Sequence, residues 1–226
     1  MRTAYRTVLL AATCASLSGC SLLGKLLNGG PPLPPREMYR LHLVDTNSNV
    51  PVVNGGATLL TGSVAIAPYS TPGLYGEHGI VFRIGTSAYG AYPSREWALP
   101  LGEMLGTLTE SVFERAPISR DAAVYDPPSR NSHTYTWRAT VREFEEVNIE
   151  KAVSIAVRID ARLVRSLDDS LIWSGSARVE RPIPDGTMER IIAGLSDAAI
   201  EVINKLGAEA VAELRGSASA AARSQP

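Results

Sequence analysis

The chain has 226 residues, with 22 Lys and Arg against 23 Asp and Glu for a formal net charge of −1. Apolar residues at 45% and charged residues at 20% are ordinary globular composition, and the even charge balance argues against a nucleic-acid partner, which calls for a basic excess. Two cysteines exclude a disulfide-stapled scaffold or a Cys-rich zinc site, and three histidines are too few and too scattered for a His-rich metal centre.

Arg2 and Arg6 open the chain, and Val8 to Ala15 form an apolar stretch too short to span a bilayer, which takes about 20 residues. Leu17-Ser18-Gly19-Cys20 follows. A Leu, two small residues and a Cys resemble a bacterial lipoprotein signal, where small side chains open the backbone to a peptidase just before a lipid-modified thiol. Cys14, after Ala11-Ala12-Thr13, fits less well. Residues 1–19 are therefore expected to be a signal peptide, and Cys20 the acylated first residue of the mature chain. Cleavage there removes Arg2, Arg6 and Cys14, taking the formal charge from −1 to −3 and leaving no thiol free for a disulfide. Ser21 stands where lipoproteins retained at the inner membrane tend to carry Asp, so the same resemblance implies the outer membrane. Several acyl chains on one residue hold far more firmly than a single chain does.

Residues 20–36 contain Gly29-Gly30 and Pro31, Pro32, Pro34 and Pro35, and support no periodic apolar face. They read as a tether, flexible at the glycines and extended at the prolines, with a reach of at most roughly 50 Å. Residues 37–215 are the expected domain. Tyr39–Val44, Gly62–Pro68 and Gly79–Ile84 read as strands, the third apolar enough to be central. A helix is expected from about Ser94, with Pro100 in its first turn and Trp97, Leu101, Leu105, Leu108 and Val112 as its buried stripe. Asp121–Tyr125 reads as a short strand.

Tyr135, Trp137, Ala139 and Val141 then alternate with polar residues, as do Val153, Ile155, Val157, Ile159, Ala161 and Leu163. With a further strand over Leu171–Val179 and a turn at Asp168-Asp169-Ser170, these form an antiparallel meander with one wet face. The alternation breaks at Phe144, near Glu143, Glu145, Glu146 and Glu150. A long helix is expected over Thr187–Leu214, and residues 216–226 as a frayed tail. The predicted fold class is α+β: a mainly antiparallel sheet with two helices packed on one face.

No Walker loop, nucleophile elbow, dinucleotide fingerprint or His-Glu-x-x-His occurs, so a non-enzyme without cofactor is expected. Gly73, Gly76 and Gly79 lack the strand-to-helix context of a phosphate cradle and read as a mobile loop. His42, His78 and His133 lack partner ligands at helical spacing. The four glutamates lack the interleaved Asp, Asn and Gly of a calcium loop and read as a solvated strand end. Tyr69, Tyr75, Tyr89 and Tyr92 fall in or beside expected loops. Tyr offers apolar area with a polar tip, so these four are the candidate partner-binding residues.

Taken in order, the lipobox at Cys20, Tyr39-Arg40-Leu41, Gly79-Ile80-Val81-Phe82-Arg83, Tyr92, Trp97-Ala98-Leu99-Pro100-Leu101 and Leu105 carry a resemblance. The chain resembles the ABC-type transport auxiliary lipoprotein family, which includes the Pqi-type intermembrane transport lipoproteins. Phe82 stands where Tyr is common in that family, and Leu99 where an acidic residue is. The resemblance implies a fold similar to the N-terminal domain of TolB. It implies an outer-membrane partner of an MCE-type system moving lipids between two membranes, with the ATPase, permease and MCE-domain protein at the inner membrane. On this reading the domain docks the periplasmic MCE assembly and assembles as a homo-oligomeric ring. A periplasmic lipid-binding carrier and a structural envelope lipoprotein are the alternatives.

Overall fold

The computed structural model describes residues 35–42, 62–115, 122–124, 133–150 and 152–223, with the backbone alone at 122–124 and 215–223. The chain divides into two units, Met1–Pro35 and Arg36–Pro226, and every element below belongs to the second. Residues 1–34, and with them the expected signal peptide, Cys20 and nearly all of the tether, lie outside the described residues.

The sheet is built on β6 (Tyr135–Ile149) and β7 (Ala152–Arg165), antiparallel along their whole length from Tyr135↔Arg165 to Ile149↔Ala152. β8 (Leu171–Pro182) adds antiparallel to the far edge of β7. The other edge of β6 is shared by two parallel neighbours. β2 (Val64–Ile66) lies beside Tyr135–Trp137, and β3 (Gly79–Ile84) lies beside Glu146–Asn148. β4 (Ala88–Trp97) folds back antiparallel on β3, β1 (Glu37–Tyr39) runs parallel to β4, and β5 (Ala122–Val124) parallel to β2. The fold is α+β as expected. Its long ladders are antiparallel, and four ladders of three pairs each are parallel, so the open sheet is mixed.

The period-two pattern puts Trp137, Ala139 and Val141 on one face with Ile155, Val157, Ile159, Ala161 and Leu163. The broken alternation is a β-bulge between Val141 and Glu143, after which Phe144 stands opposite Val157 and rejoins the apolar face. Both helices, α1 (Leu101–Arg115) and α2 (Met188–Arg223), cover that face. Trp137 is the hub: Phe113 of α1 meets it edge-on at 5.1 Å, and Trp173 of β8 stacks on it at 5.6 Å. Met188, Ile191, Ile192, Leu195, Ala199, Val202, Leu206 and Ala210 of α2 are all buried, as their spacing predicts.

Two boundaries differ from expectation. Ser94–Trp97 is strand, because β1 and β3 flank it as pairing partners (Glu37↔Arg95, Gly79↔Glu96). Pro100 therefore precedes the helix, and its carbonyl accepts from the Glu103 and Met104 amides at 3.0 and 3.2 Å. Trp97 is buried as expected, but it reaches the core from β4 and meets Phe144 at 5.9 Å. At the other end α2 runs on to Arg223, eight residues into the expected frayed tail. The alanines there are the strongest helix formers, and one Gly at 216 does not outweigh them. The first strand ends at Tyr39, and the expected strand residues from 43 on lie outside the described set.

Candidate functional site

The four tyrosines do not share a loop. Tyr69 follows β2 along the edge of β6, where the Ser70 amide donates to the Ala139 carbonyl and the Tyr69 amide to Gly102. Its ring is buried. The Trp137 indole donates to its hydroxyl at 3.3 Å, and the Thr109 hydroxyl lies 2.7 Å away. Burial pushes its pKa up to about 12, against the opposing pull of those two hydrogen bonds. Tyr69 is thus a core residue and leaves the docking set.

Tyr75 sits on a 3-10 turn (Gly73–Gly76) that starts with Gly73 at a φ of 64°, where a side chain would be strained. The expected mobile loop is this turn. The Tyr75 phenol donates to Glu145 Oε2, and Arg83 Nε donates to Oε1 at 2.6 Å. Glu145 is fully buried, and the Arg83 side chain is 14% exposed. Burial first, then the bond to Glu145, holds the Tyr75 phenol far above its usual range, and the same carboxylate raises Arg83.

Tyr92, on β4, makes the matching arrangement on the opposite face. Its phenol donates to Glu146 Oε2 at 2.7 Å, and Asn148 Nδ2 donates to Oε1 at 2.8 Å. The Phe82 ring lies 5.0 Å away, and the Arg95 guanidinium sits 5.1 Å over the Tyr92 ring. Burial and the Glu146 bond push its phenol upward as well. Glu145 and Glu146 were expected to be solvated, and the structure buries both because each has a tyrosine clamp. Glu143 pairs with Arg178 at 2.7 Å, and Glu150 alone is an exposed turn residue. Both oxygens of each buried carboxylate are engaged, so the arrangement ties the 3-10 turn and the hairpin to β6 without presenting a reactive group.

Tyr89 is the tyrosine that reaches solvent, at 51% exposure, and it stands opposite Arg83 on the hairpin. Ile84 at 57% and Ile149 at 47% are exposed at the same end of the sheet, where β3 and β6 finish side by side. The sheet face away from the helices is polar. A groove of about 700 Å³ lies over it, walled on one side by Ala67, Pro68 and Ser70 and floored by Arg138, Asp160 and Arg162. Asp160 accepts from Arg142 Nε and from Ser176 Oγ, both at 2.6 Å. These bonds hold its carboxyl below the usual range, although burial, the largest influence on it, acts the other way. Among the described residues no group of three or more His, Cys, Asp or Glu is placed to hold a metal, and no helix is long and apolar enough to cross a membrane.

Two helices over one face of an open mixed sheet define an α+β module, and solved structures resemble it. Protein XCC0632 from Xanthomonas campestris is similar at a TM-score of 0.65 and 18% identity, over 81% of this chain and 99% of its own. A crystal structure of an uncharacterized protein matches at 0.58 and 14%, over 77% and 98%. The PelC dodecamer from Paraburkholderia phytofirmans matches at 0.42 and 12%, over 63% and 82%. No curated protein matches the chain in sequence. The family model of the ABC-type transport auxiliary lipoprotein component matches residues 43–206, and the chain belongs to that family.

Proposed function

We propose that this protein is an outer-membrane lipoprotein, acylated at Cys20, whose domain faces the periplasm and docks an MCE-domain assembly served by an inner-membrane ABC transporter. The match to the auxiliary lipoprotein family over residues 43–206 carries the reading. The lipobox at Leu17–Cys20 and the Gly- and Pro-rich residues behind it support the anchor and tether. Tyr89, Ile84 and Ile149 support docking at one sheet end: all three are exposed there, and Tyr is among the residue types on which binding energy concentrates. Tyr75 and Tyr92 contribute by fixing the turn and hairpin that border this end. Ring assembly belongs to the same proposal and rests on the family resemblance.

Two measurements test the proposal. Cys20→Ala should leave an unacylated chain that no longer floats with outer-membrane vesicles, and unchanged fractionation would refute the anchor. The MCE-domain protein of the same cell should copurify with the wild-type chain and not with the Tyr89→Ala, Ile149→Ser variant. Undiminished copurification with that double variant would refute the docking surface.

A further inference from the structure

The polar groove contains an unresolved repulsion. In the β6–β7 ladder Arg138 stands directly opposite Arg162, and such cross-strand partners have Cβ atoms about 5 Å apart. Like charges placed this way destabilise a sheet. A second opposed pair, Arg158↔Arg178 in the β7–β8 ladder, has its own counter-charges: Arg178 binds Glu143 at 2.7 Å and Glu180 at 2.6 Å, and Arg158 lies 3.9 Å from Asp160. The pair in the groove is not balanced in this way. Arg138 gives one edge to a half-exposed Asp169 at 2.7 Å, while Arg162 is exposed and has no hydrogen-bond or ion-pair partner among the described residues. Asp160, the carboxylate on the groove floor, is already occupied by Arg142 and Ser176.

We propose that this groove binds a phosphate group, as a monoester or diester, gripped between the guanidinium groups of Arg138 and Arg162. Two adjacent planar forks present more donors than a carboxylate can accept, and the several oxygens of a phosphate match them. Ser174 stands opposite Arg162 on β8, and Thr140 is two residues from Arg138 on the same face. Both hydroxyls lack a partner among the described residues, so they add donors at the rim. β6 and β7 are interior strands, which makes the floor rigid, and about 700 Å³ leaves room for the alcohol that carries the phosphate. The inference is independent of where the chain is anchored and of what it docks.

The test is calorimetric titration of the full-length chain in uncharged detergent with sn-glycerol 3-phosphate. Wild type should bind saturably, and Arg138→Gln and Arg162→Gln should each bind about tenfold more weakly or worse. Arg181→Gln makes the same charge change at an arginine engaged by Glu201, away from the groove, and should bind like wild type. Because Arg162→Gln relieves a repulsion and breaks no ion pair among the described residues, its ligand-free melting temperature should equal or exceed the wild-type value, which separates lost binding from lost folding. Phosphate should raise the melting temperature of wild type above that in chloride of equal ionic strength. Equal displacement by inorganic phosphate assigns the site to the bare phosphate group. Displacement by short-chain phosphatidylglycerol alone assigns it to a lipid headgroup, and either result upholds the proposal. Absent binding, binding unchanged in both groove variants, or binding of a polyglutamate peptide in place of the phosphate ester overturns it.

Discussion

Tyr75→Phe removes one hydroxyl and keeps the ring. In the structure that hydroxyl is the donor to Glu145 Oε2, on a carboxylate with no exposure, whose other oxygen is held by Arg83. A hydrogen bond to a charged group contributes about 1.5–3 kcal/mol, and a buried acceptor left unmade costs a similar amount. Tyr75 itself is half-buried, so water reaches part of the gap, and a loss of about 2 kcal/mol is expected. Glu145→Gln should cost more, about 3 kcal/mol or above, because it strands the Arg83 guanidinium at 14% exposure. The two substitutions act through one carboxylate, so the double variant should be more stable than their sum by about 1–2 kcal/mol. Replacing both charges, with Glu145→Leu and Arg83→Met, should recover much of the loss, since an apolar pair can substitute for a buried ion pair. Urea unfolding followed by tryptophan fluorescence and far-ultraviolet circular dichroism measures all four. A Tyr75→Phe cost below about 0.5 kcal/mol, or strict additivity in the double variant, would refute the clamp.

Two further predictions follow from burial and close approach. Tyr69, Tyr75 and Tyr92 should ionise late in an alkaline titration read at the phenolate band, and one transition for all tyrosines near pH 10 would contradict this. For Tyr69, from 10.0 to about 12, the unfolded chain loses its proton first. Its contribution is therefore complete below pH 10 and disappears as pH rises through about 12, amounting to about 3 kcal/mol. Gly102→Ala should destabilise by about 1–3 kcal/mol in urea, because a Cβ there would lie 2.3 Å from the Tyr69 carbonyl oxygen, which is backbone and cannot swing away. An unchanged midpoint would show that the first turn of α1 shifts freely over Tyr69.

What the chain revealed before folding was whatever depends on near neighbours. The alternation from Tyr135 to Val141 and from Val153 to Leu163 located β6 and β7, and its interruption at Phe144 marked the bulge. The stripe from Met188 to Ala210 located the buried side of α2. Ser94 misled because a serine before an apolar spacing reads as a helix cap, whereas a strand there depends on β3 and β1, one of them more than fifty residues distant. Glu145 and Glu146 looked solvated because their partners, Tyr75 and Tyr92, are 70 and 54 residues away, and burial of a charge is decided by such partners. The unbalanced Arg138 and Arg162 were legible only as polar positions of two strands. Their opposition follows from a register that the turn and bulge together set.

The docking claim is tested most directly by photo-crosslinking in cells, with a photoreactive amino acid in place of Tyr89 and, separately, of Arg190, an exposed residue on α2. Position 89 should yield a crosslink to the periplasmic MCE-domain protein and position 190 should not. A crosslink from position 190 with none from 89 would contradict docking at the β3–β6 end of the sheet.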